Sequence, residues 1–367
     1  MRISHLQVSC CVMLSLYLLF SGGCAKTGEP HAPILMLPKP PTDLSVRQYG
    51  DQALVSVSMP AQNTNGSPVT TLARVEVFRL SENEGNEGHP SIPPGDSEFL
   101  RRAVKLFSVP AAQFPSFLRN RILTIRDPLE FSDHNVIYSR VFVYAARFVN
   151  NKDQNAGLTN QAALAPIPIP PAPQNLSSEV TQDSIRIRWD PPAANMDGST
   201  PPRFVGYNVY KTEDPAHFPA DPINREPVAA AEITDPEFQF DSTYYYEVST
   251  VGSIKGPNAE SPPSAALRVT PRDTFPPGAP QNLNAVVDGG VVILLWGPAA
   301  GNDVAGYRVY RREPGAAEAA LLQPALITTL SYRDPAVLSG RSYVYRVTAV
   351  DTHGNEGAPA VTTVDIP

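Results

Sequence analysis

The sequence has no cysteine after Cys24, although it continues to residue 367. Its three cysteines, Cys10, Cys11 and Cys24, all lie near the N-terminus. The rest of the chain therefore folds without a disulfide, and its domains depend on their apolar cores for stability. Cys10 and Cys11 fall within an apolar stretch, where cysteine behaves as a small hydrophobic residue. Only Cys24 is a candidate for thiol chemistry.

An excess of positive charge is also absent. The chain has 29 Lys and Arg against 36 Asp and Glu, which gives a net charge of −7, and it contains no long basic run. A mildly acidic chain of this kind argues against nucleic acid as a partner.

Motifs for catalysis and for metal binding are missing as well. The sequence contains neither a glycine-rich phosphate loop nor a Gly-x-Ser-x-Gly motif. No two histidines beyond residue 23 stand at metal-ligand spacing, and these are His31, His89, His134, His217 and His353. We therefore expect no enzymatic activity, no catalytic residues, no metal and no cofactor.

The apolar stretch near the N-terminus is too short for a membrane-spanning helix. It covers Val8–Phe20, 13 residues, whereas a span needs about 20. Arg2 precedes it and the small residues of Ser21-Gly22-Gly23 follow it. This order is typical of a secretory signal, so we predict a signal peptide over residues 1–23.

The end of this segment, Ser21-Gly22-Gly23-Cys24, resembles the signal of bacterial lipoproteins, in which the cysteine after the cut receives a diacylglycerol. Gly22, Gly23 and Cys24 match that pattern, whereas Ser21 stands where leucine is usual. The resemblance implies lipidation of Cys24 and a membrane as partner through the lipid. Because Ala25 follows the cysteine, the resemblance favours attachment to the outer membrane of a bacterial cell envelope. The alternative is an ordinary signal with an incidental cysteine, which gives a secreted protein.

Proline is abundant, with 40 residues in the chain, about twice the usual share. Residues 24–39 are proline-rich and predict an extended tether between a membrane and the folded part. Elsewhere prolines break helices and protect strand edges. Because 42% of the residues are apolar, the chain is not disordered, and a strand-rich protein is expected.

Two parts of the chain repeat each other at an interval of 107 residues. Ala-Pro-Gln-Asn-Leu occurs at 172–176 and 279–283, and Trp189 and Trp296 have the same separation. Before Trp189, apolar and charged residues alternate as Ile-Arg-Ile-Arg-Trp. This period of two is typical of a strand with one buried face.

Each repeat continues with the same two tyrosine motifs. Gly-Tyr-x-Val-Tyr occurs at 206–210 and 306–310, and Tyr-x-Tyr-x-Val occurs at 244–248 and 343–347. Together with the Pro-x-x-Leu start and the tryptophan, these residues resemble the fibronectin type III domain. The resemblance implies an immunoglobulin-like sandwich of two sheets.

A more divergent copy precedes these two. Pro-Pro-Thr-Asp-Leu at 40–44 matches the start of the repeat, and the alternating segment 53–60 has Met59 in place of tryptophan. An insertion near 81–121 shows helical spacing, with Asp96 or Ser97 as cap and Pro110 as boundary. Its apolar positions are Phe99, Leu100, Ala103, Val104 and Phe107. We interpret it as a helix covering the sandwich edge; the alternative is a partner-binding helix with Arg101, Arg102 and Lys105 outward.

The predicted fold is therefore all-β, with three tandem fibronectin type III-like sandwiches after the signal and tether. Their predicted extents are 40–166, 170–271 and 277–367. Short proline-rich linkers between them predict a semi-rigid rod.

Several residues suggest chemistry but have a simpler interpretation. Asp127, Asp235 and Asp334 each precede a proline at the same repeat position, so we interpret them as turn residues. Trp189 and Trp296 lie on a predicted buried face and are interpreted as core. The loops at 150–157 and 351–357 carry oxygen ligands suited to Ca²⁺, and we interpret both as turns.

One aromatic position recurs in all three repeats: Phe78, Tyr210 and Tyr310 occupy the same place on the third strand. They form a possible binding face, or they pack against neighbouring strands. For the whole chain we expect a non-enzymatic, membrane-anchored envelope lipoprotein that acts as a spacer or protein-interaction scaffold. The alternatives are a glycan-binding or adhesion module, or an accessory subunit of a secreted polysaccharide-degrading system. Envelope proteins or polysaccharide are thus the expected partners.

Overall fold

The computed structural model of the protein describes residues 35–83, 95–129, 138–256 and 258–367. The predicted signal peptide, Cys24 and residues 24–34 of the predicted tether lie outside these ranges. Within them, the regular structure is almost entirely β and forms three successive sandwiches, which confirms the predicted fold class. No helix in the described ranges combines the length and the apolar character that a membrane span requires.

The first sandwich contains two four-stranded sheets and two short helices. Its elements are β1 (Ser45–Tyr49), β2 (Gln52–Ser58), β3 (Arg74–Asn83), α1 (Asp96–Arg102), β4 (Val104–Pro110), α2 (Phe114–Phe117), β5 (Leu118–Arg119), β6 (Ile122–Pro128), β7 (Arg140–Val149) and β8 (Ala162–Leu164). One sheet has the order β1–β2–β6–β5 and the other the order β4–β3–β7–β8.

The second and third sandwiches share six corresponding strands, and each adds one short strand of its own. The second consists of β9 (Gln174–Val180), β10 (Ile185–Asp190), β11 (Gly206–Thr212), β12 (Glu232–Asp235), β13 (Tyr244–Ser253), β14 (Ala259–Glu260) and β15 (Leu267–Val269). The third consists of β16 (Gln281–Asp288), β17 (Val291–Gly297), β18 (Val304–Arg312), β19 (Ala320–Leu321), β20 (Ser331–Asp334), β21 (Ser342–Asp351) and β22 (Ala360–Asp365). The three-stranded sheets β12–β10–β9 and β16–β17–β20 each face a sheet built on the β11–β13 or β18–β21 pair.

The alternating strands bury the residues that the sequence places in the core. In β10, Ile185 and Ile187 are fully buried and Trp189 is 4% exposed. Trp189 meets Tyr207 edge to face, with 5.1 Å between ring centroids. Both tryptophans are core residues, as predicted, and Trp296 contacts its tyrosine in the same way.

The first sandwich differs because both faces of its β4–β3–β7–β8 sheet are covered. One face joins the main core, and the other carries a second apolar cluster. Phe99 of α1 lies at the centre of that cluster and is 0% exposed. The near-continuous burial of β3 and β7 is what a sheet covered on both faces requires.

The structure contains the helix predicted in the insertion, but this helix is shorter than predicted and lies elsewhere on the sandwich. The helix ends at Arg102, and the chain from Val104 to Pro110 forms a strand paired with β3. The helical spacing predicted through Phe107 is therefore wrong, because ladder hydrogen bonds to β3 override it. The helix covers the outer sheet face and not the edge, and Lys105 belongs to the strand.

The last residues of the predicted tether lie against the first sandwich. Lys39 N donates to Gln62 O at 2.9 Å, and Thr64 N donates to Leu37 O at 2.8 Å. Pro38 is buried in this contact. Residues 35–39 are thus a docked segment of the first sandwich.

The first and second sandwiches share one sheet. Strand β1 pairs in parallel with β14, so that β5–β6–β2–β1 continues into β14–β13–β11 and β15 completes eight strands. Two backbone bonds cross the junction: Gln48 N donates to Asn258 O at 2.9 Å, and Gly50 N donates to Glu260 O at 2.8 Å.

Gln48 fastens the linker to this shared sheet. Its side-chain Nε2 donates to Ile167 O at 2.9 Å, and its Oε1 accepts from Ile167 N at 2.9 Å. Gln48 is 0% exposed. A buried amide with both ends paired fixes the linker in one register.

Gly50 permits the close approach of the two sandwiches. Its φ is +59°, and a Cβ there would lie 2.8 Å from Cδ of Pro262 in the second sandwich. Only glycine combines this left-handed conformation with the absence of a side chain.

The second junction is different, because no sheet crosses it in the described residues. Phe240 of the second sandwich contacts Phe275 of the linker and His353 of the third sandwich, at centroid distances of 6.3 and 5.9 Å. Gly278 N donates to Ala300 O at 2.8 Å. Side chains and a short linker join these two units.

Candidate functional site

The three aromatic residues of the predicted binding face occupy one register position. Phe78 on β3 is opposite Ala145, Tyr210 on β11 is opposite Glu247, and Tyr310 on β18 is opposite Arg346. The predicted lipidation residue, Cys24, lies outside the described residues.

Phe78 is not part of an open face. It is 6% exposed and belongs to the second apolar cluster of the first sandwich, beside Phe99. The guanidinium of Arg147 stacks over its ring at 5.0 Å. At this position the packing alternative applies, because the inserted helix α1 covers the sheet.

Tyr210 and Tyr310 remain partly exposed, and each donates its hydroxyl to a glutamate. Tyr210 Oη lies 2.7 Å from Glu260 Oε1, and Tyr310 Oη lies 2.7 Å from Glu356 Oε1. Burial and the neighbouring glutamate raise the pKa of both tyrosines. The same tyrosine–glutamate pair thus recurs on the outer sheet face of both domains.

A recess of about 170 Å³ surrounds Tyr210 at the first junction. It is lined from both sandwiches, with Arg47 and Tyr49 on one side and Phe218, Glu247 and Glu260 among those on the other. Arg47 Nη1 lies 3.5 Å from Glu260 Oε2. Burial raises the pKa of Tyr49 and of Glu247. The first sandwich therefore supplies the cation that faces Glu260.

The matching recess of the third sandwich is larger and belongs to one domain. It measures about 380 Å³ and is lined by Tyr310, Ala317, Glu318, Ala319, Arg346, Thr348, Glu356 and Pro359. Here Arg308, on the same strand as Tyr310, forms the ion pair with Glu356. Burial acts to raise the pKa of Glu356, but hydrogen bonds from Thr348, Tyr310 and Arg308 outweigh it and lower that pKa. Both recesses place a tyrosine ring beside charged side chains.

The repeated aspartates do more than form turns. Asp235 Oδ1 accepts Glu237 N and Asp334 Oδ1 accepts Ala336 N, both at 3.0 Å, as the turn interpretation expects. Their other oxygens lie in the core. Each accepts a tyrosine hydroxyl and faces a cation, in the sets Arg79–Asp127–Tyr144, Lys211–Asp235–Tyr246 and Arg311–Asp334–Tyr345.

These cation–Asp–Tyr sets are structural. All three aspartates are at most 4% exposed, and each carboxylate is already held by its partners. Sequence reasoning missed the cations, although a signal existed. Val-Phe-Arg, Val-Tyr-Lys and Val-Tyr-Arg, at 77–79, 209–211 and 309–311, place a basic residue on the inward face of the third strand in every copy.

The two oxygen-rich loops are turns. In the loop at 351–357, Asp351 Oδ1 accepts His353 N at 2.9 Å and Asn355 N at 2.8 Å, and Gly354 has a φ of +88°. In the loop at 150–157, Asn150 plays the corresponding part by accepting two backbone N–H groups. These oxygens are already engaged, which argues against Ca²⁺ in either loop.

No family model matches the chain. An amylopullulanase from Thermoanaerobacterium saccharolyticum is 33% identical over 98 residues, which cover 26% of this chain and only 7% of that protein.

Among solved structures, a two-domain fibronectin type III segment of chicken tenascin is similar over 53% of this chain and 98% of its own, with 16% identity and a TM-score of 0.35. The FN1–FN3 domains of chicken CNTN1 cover 90% of this chain and 99% of their own, with 14% identity and a TM-score of 0.26. The fibronectin type III-like fold itself follows from the strand order and register described above.

Proposed function

We propose that this protein is a non-enzymatic, membrane-anchored spacer and protein-interaction scaffold of a bacterial cell envelope. The observation that carries the proposal is the sheet shared by the first two sandwiches, together with buried Gln48, whose side chain is hydrogen-bonded to Ile167 of the linker. A spacer must hold its ends apart, and a continuous sheet with a fixed linker resists bending better than a free linker does.

The anchor is the second part of the proposal. The segment Ser21-Gly22-Gly23-Cys24 supports it, because its last three residues match the lipoprotein pattern. Two or more acyl chains would hold the protein firmly on a membrane, whereas a single chain binds marginally. Residues 25–34 then separate the lipid from the docked segment at 35–39.

Replacing Cys24 with alanine tests the anchor. Expressed in a bacterial host, the wild type should carry the mass of its acyl chains and partition into detergent, and Cys24→Ala should do neither. Intact mass and detergent phase separation measure both. Cys11→Ala is the matched control and should behave as wild type. A wild type without added mass that stays in water would refute the anchor and leave a secreted rod.

A glycan-binding role, within a polysaccharide-degrading system or in adhesion, is the second candidate. The amylopullulanase similarity favours it, and the recess at Tyr310 offers a partly exposed aromatic ring beside Glu356. Co-sedimentation with insoluble glycans and affinity electrophoresis in pullulan distinguish the two candidates. Retardation that Tyr310→Ala abolishes would favour glycan binding, whereas unchanged mobility favours the scaffold.

A further inference from the structure

Three potential metal ligands meet at the second junction. They are Asp273 in the linker, Asp303 in the loop between β17 and β18, and His353 in the loop between β21 and β22. One oxygen or nitrogen atom of each lies within 4.8 Å of the others. Because 30 and 50 residues separate them along the chain, sequence spacing alone gives no sign of the cluster.

The carboxylate of Asp273 is buried without a permanent cation. Its side chain is 2% exposed, and its ion-pair partner is His353, with Nδ1 3.0 Å from Oδ2. In the described part of the chain, no Lys or Arg nitrogen lies within 4.0 Å of Asp273 or Asp303, and nearby Arg272 pairs with Asp241 instead. A buried carboxylate needs a compensating charge, and a cation bound between the three ligand atoms would supply it.

The surrounding loop holds the ligands in place. Asn355 Nδ2 donates to Asp351 Oδ2 at 2.8 Å and to Asp273 O at 3.2 Å, so it ties the loop to the linker. Thr352 N donates to Asp303 O at 3.0 Å. Such outer contacts orient ligand side chains before a metal arrives.

We propose that Asp273, Asp303 and His353 form a site for a divalent d-block cation of the Zn²⁺ class. One imidazole nitrogen and two carboxylate oxygens are a suitable ligand set for Zn²⁺, with a fourth position for water. Ca²⁺ fits less well, because it takes six to eight oxygen ligands. The bound cation replaces the direct contact between Asp273 and His353.

The site would lock the linker onto the third sandwich. Its ligands come from the linker and from two loops at the same end of that sandwich, and His353 also touches Phe240 of the second sandwich. Metal binding would therefore stiffen the junction that has no shared sheet. This role is independent of the anchor and of any partner in the proposed function.

Isothermal titration calorimetry of the full chain with ZnCl₂ tests the site. Cys10, Cys11 and Cys24 are first replaced by serine, because thiolates bind zinc tightly. We expect one equivalent to bind. The variants His353→Gln and Asp303→Asn should each weaken binding by more than about 100-fold, and Asn355→Ala by about 10–100-fold. Co²⁺ in the same background should give visible absorption of a nitrogen–oxygen site that His353→Gln removes.

His217→Gln is the matched control. His217 also pairs with an aspartate, Asp214, at 2.7 Å, but on an exposed turn without a third ligand. It should bind Zn²⁺ as the background does. Circular dichroism checks that each variant is folded. The proposal is overturned if the background binds no Zn²⁺, or if folded His353→Gln and Asp303→Asn bind it as tightly as His217→Gln.

Discussion

Asp334→Ala is expected to lower the free energy of unfolding of the third sandwich by about 3–5 kcal/mol. Asp334 is 2% exposed and accepts hydrogen bonds from Arg311 Nη1 at 2.9 Å and Tyr345 Oη at 2.7 Å. Its removal leaves the Tyr345 hydroxyl without its acceptor and takes the buried carboxylate away from Arg311, whose guanidinium keeps only Ala336 O and Glu313 Oε1 as partners. The cost is large because a half-satisfied buried network is worse than an apolar one.

Urea unfolding followed by tryptophan fluorescence measures this loss. Trp296 reports the third sandwich and Trp189 the second, and the chain has no other tryptophan. Asp365→Ala, at an exposed site on β22, is the matched control and should change stability by at most about 0.5 kcal/mol. The double variant Arg311→Met/Asp334→Leu should recover only part of the loss, because Tyr345 Oη and Ala336 N still lack the acceptors that Asp334 gave them. A loss below about 1 kcal/mol in Asp334→Ala would contradict the structural role assigned to the network.

Glu76 is expected to make the first sandwich sensitive to acid. Burial acts to raise its pKa, but hydrogen bonds from Arg147 and Arg74 and the charge of Lys105 outweigh burial and lower the pKa from 4.5 to about 2. The depressed pKa contributes about 3 kcal/mol of stability. That contribution is complete above pH 4.5, where the unfolded carboxyl ionises, and it disappears as the pH falls to about 2.

Calorimetric melting of wild type and Glu76→Gln between neutral pH and about pH 2.5 tests this prediction. The variant should be less stable at neutral pH by about 3 kcal/mol, and the two curves should converge as the pH falls. Glu247→Gln is a control of opposite sign. Burial raises the pKa of Glu247, so its ionised form opposes folding and the variant should be no less stable at neutral pH. If the stability difference between wild type and Glu76→Gln stays constant with pH, the substitution acts through side-chain packing and not through charge.

The repeated core could be predicted from the sequence because it follows a short-range rule. Alternation around Trp189 and Trp296 fixes which residues face inward, and the structure buries them. The tyrosine motifs locate the strands opposite them in the same way. At these positions the local alternation of apolar residues and the tertiary packing place the same side chains in the core.

Other features depend on contacts that no local pattern encodes. Val104–Pro110 has helical spacing but forms a strand, because β3 offers it a ladder. Nothing around Gln48 or Gly50 in the sequence shows that β1 joins the sheet of the next domain. The site at Asp273, Asp303 and His353 likewise exists only after three distant segments meet.

We infer that the first two sandwiches form one rigid unit. Pulsed electron spin resonance tests this rigidity most directly. Two spin labels are attached to cysteines that replace exposed Thr70 and Asp183, in a background with serine at the three natural cysteines. Gly50→Ala should loosen the unit, because a Cβ there meets Pro262 at 2.8 Å. Gly66→Ala is the matched control, since Gly66 also has a positive φ but no atom within 4 Å of its Cβ position.

A rigid unit should give a single narrow distance distribution for the background and for Gly66→Ala, and a broader one for Gly50→Ala. A broad distribution in the background itself, unchanged by Gly50→Ala, would contradict it. The first two sandwiches would then be independent domains on a flexible linker.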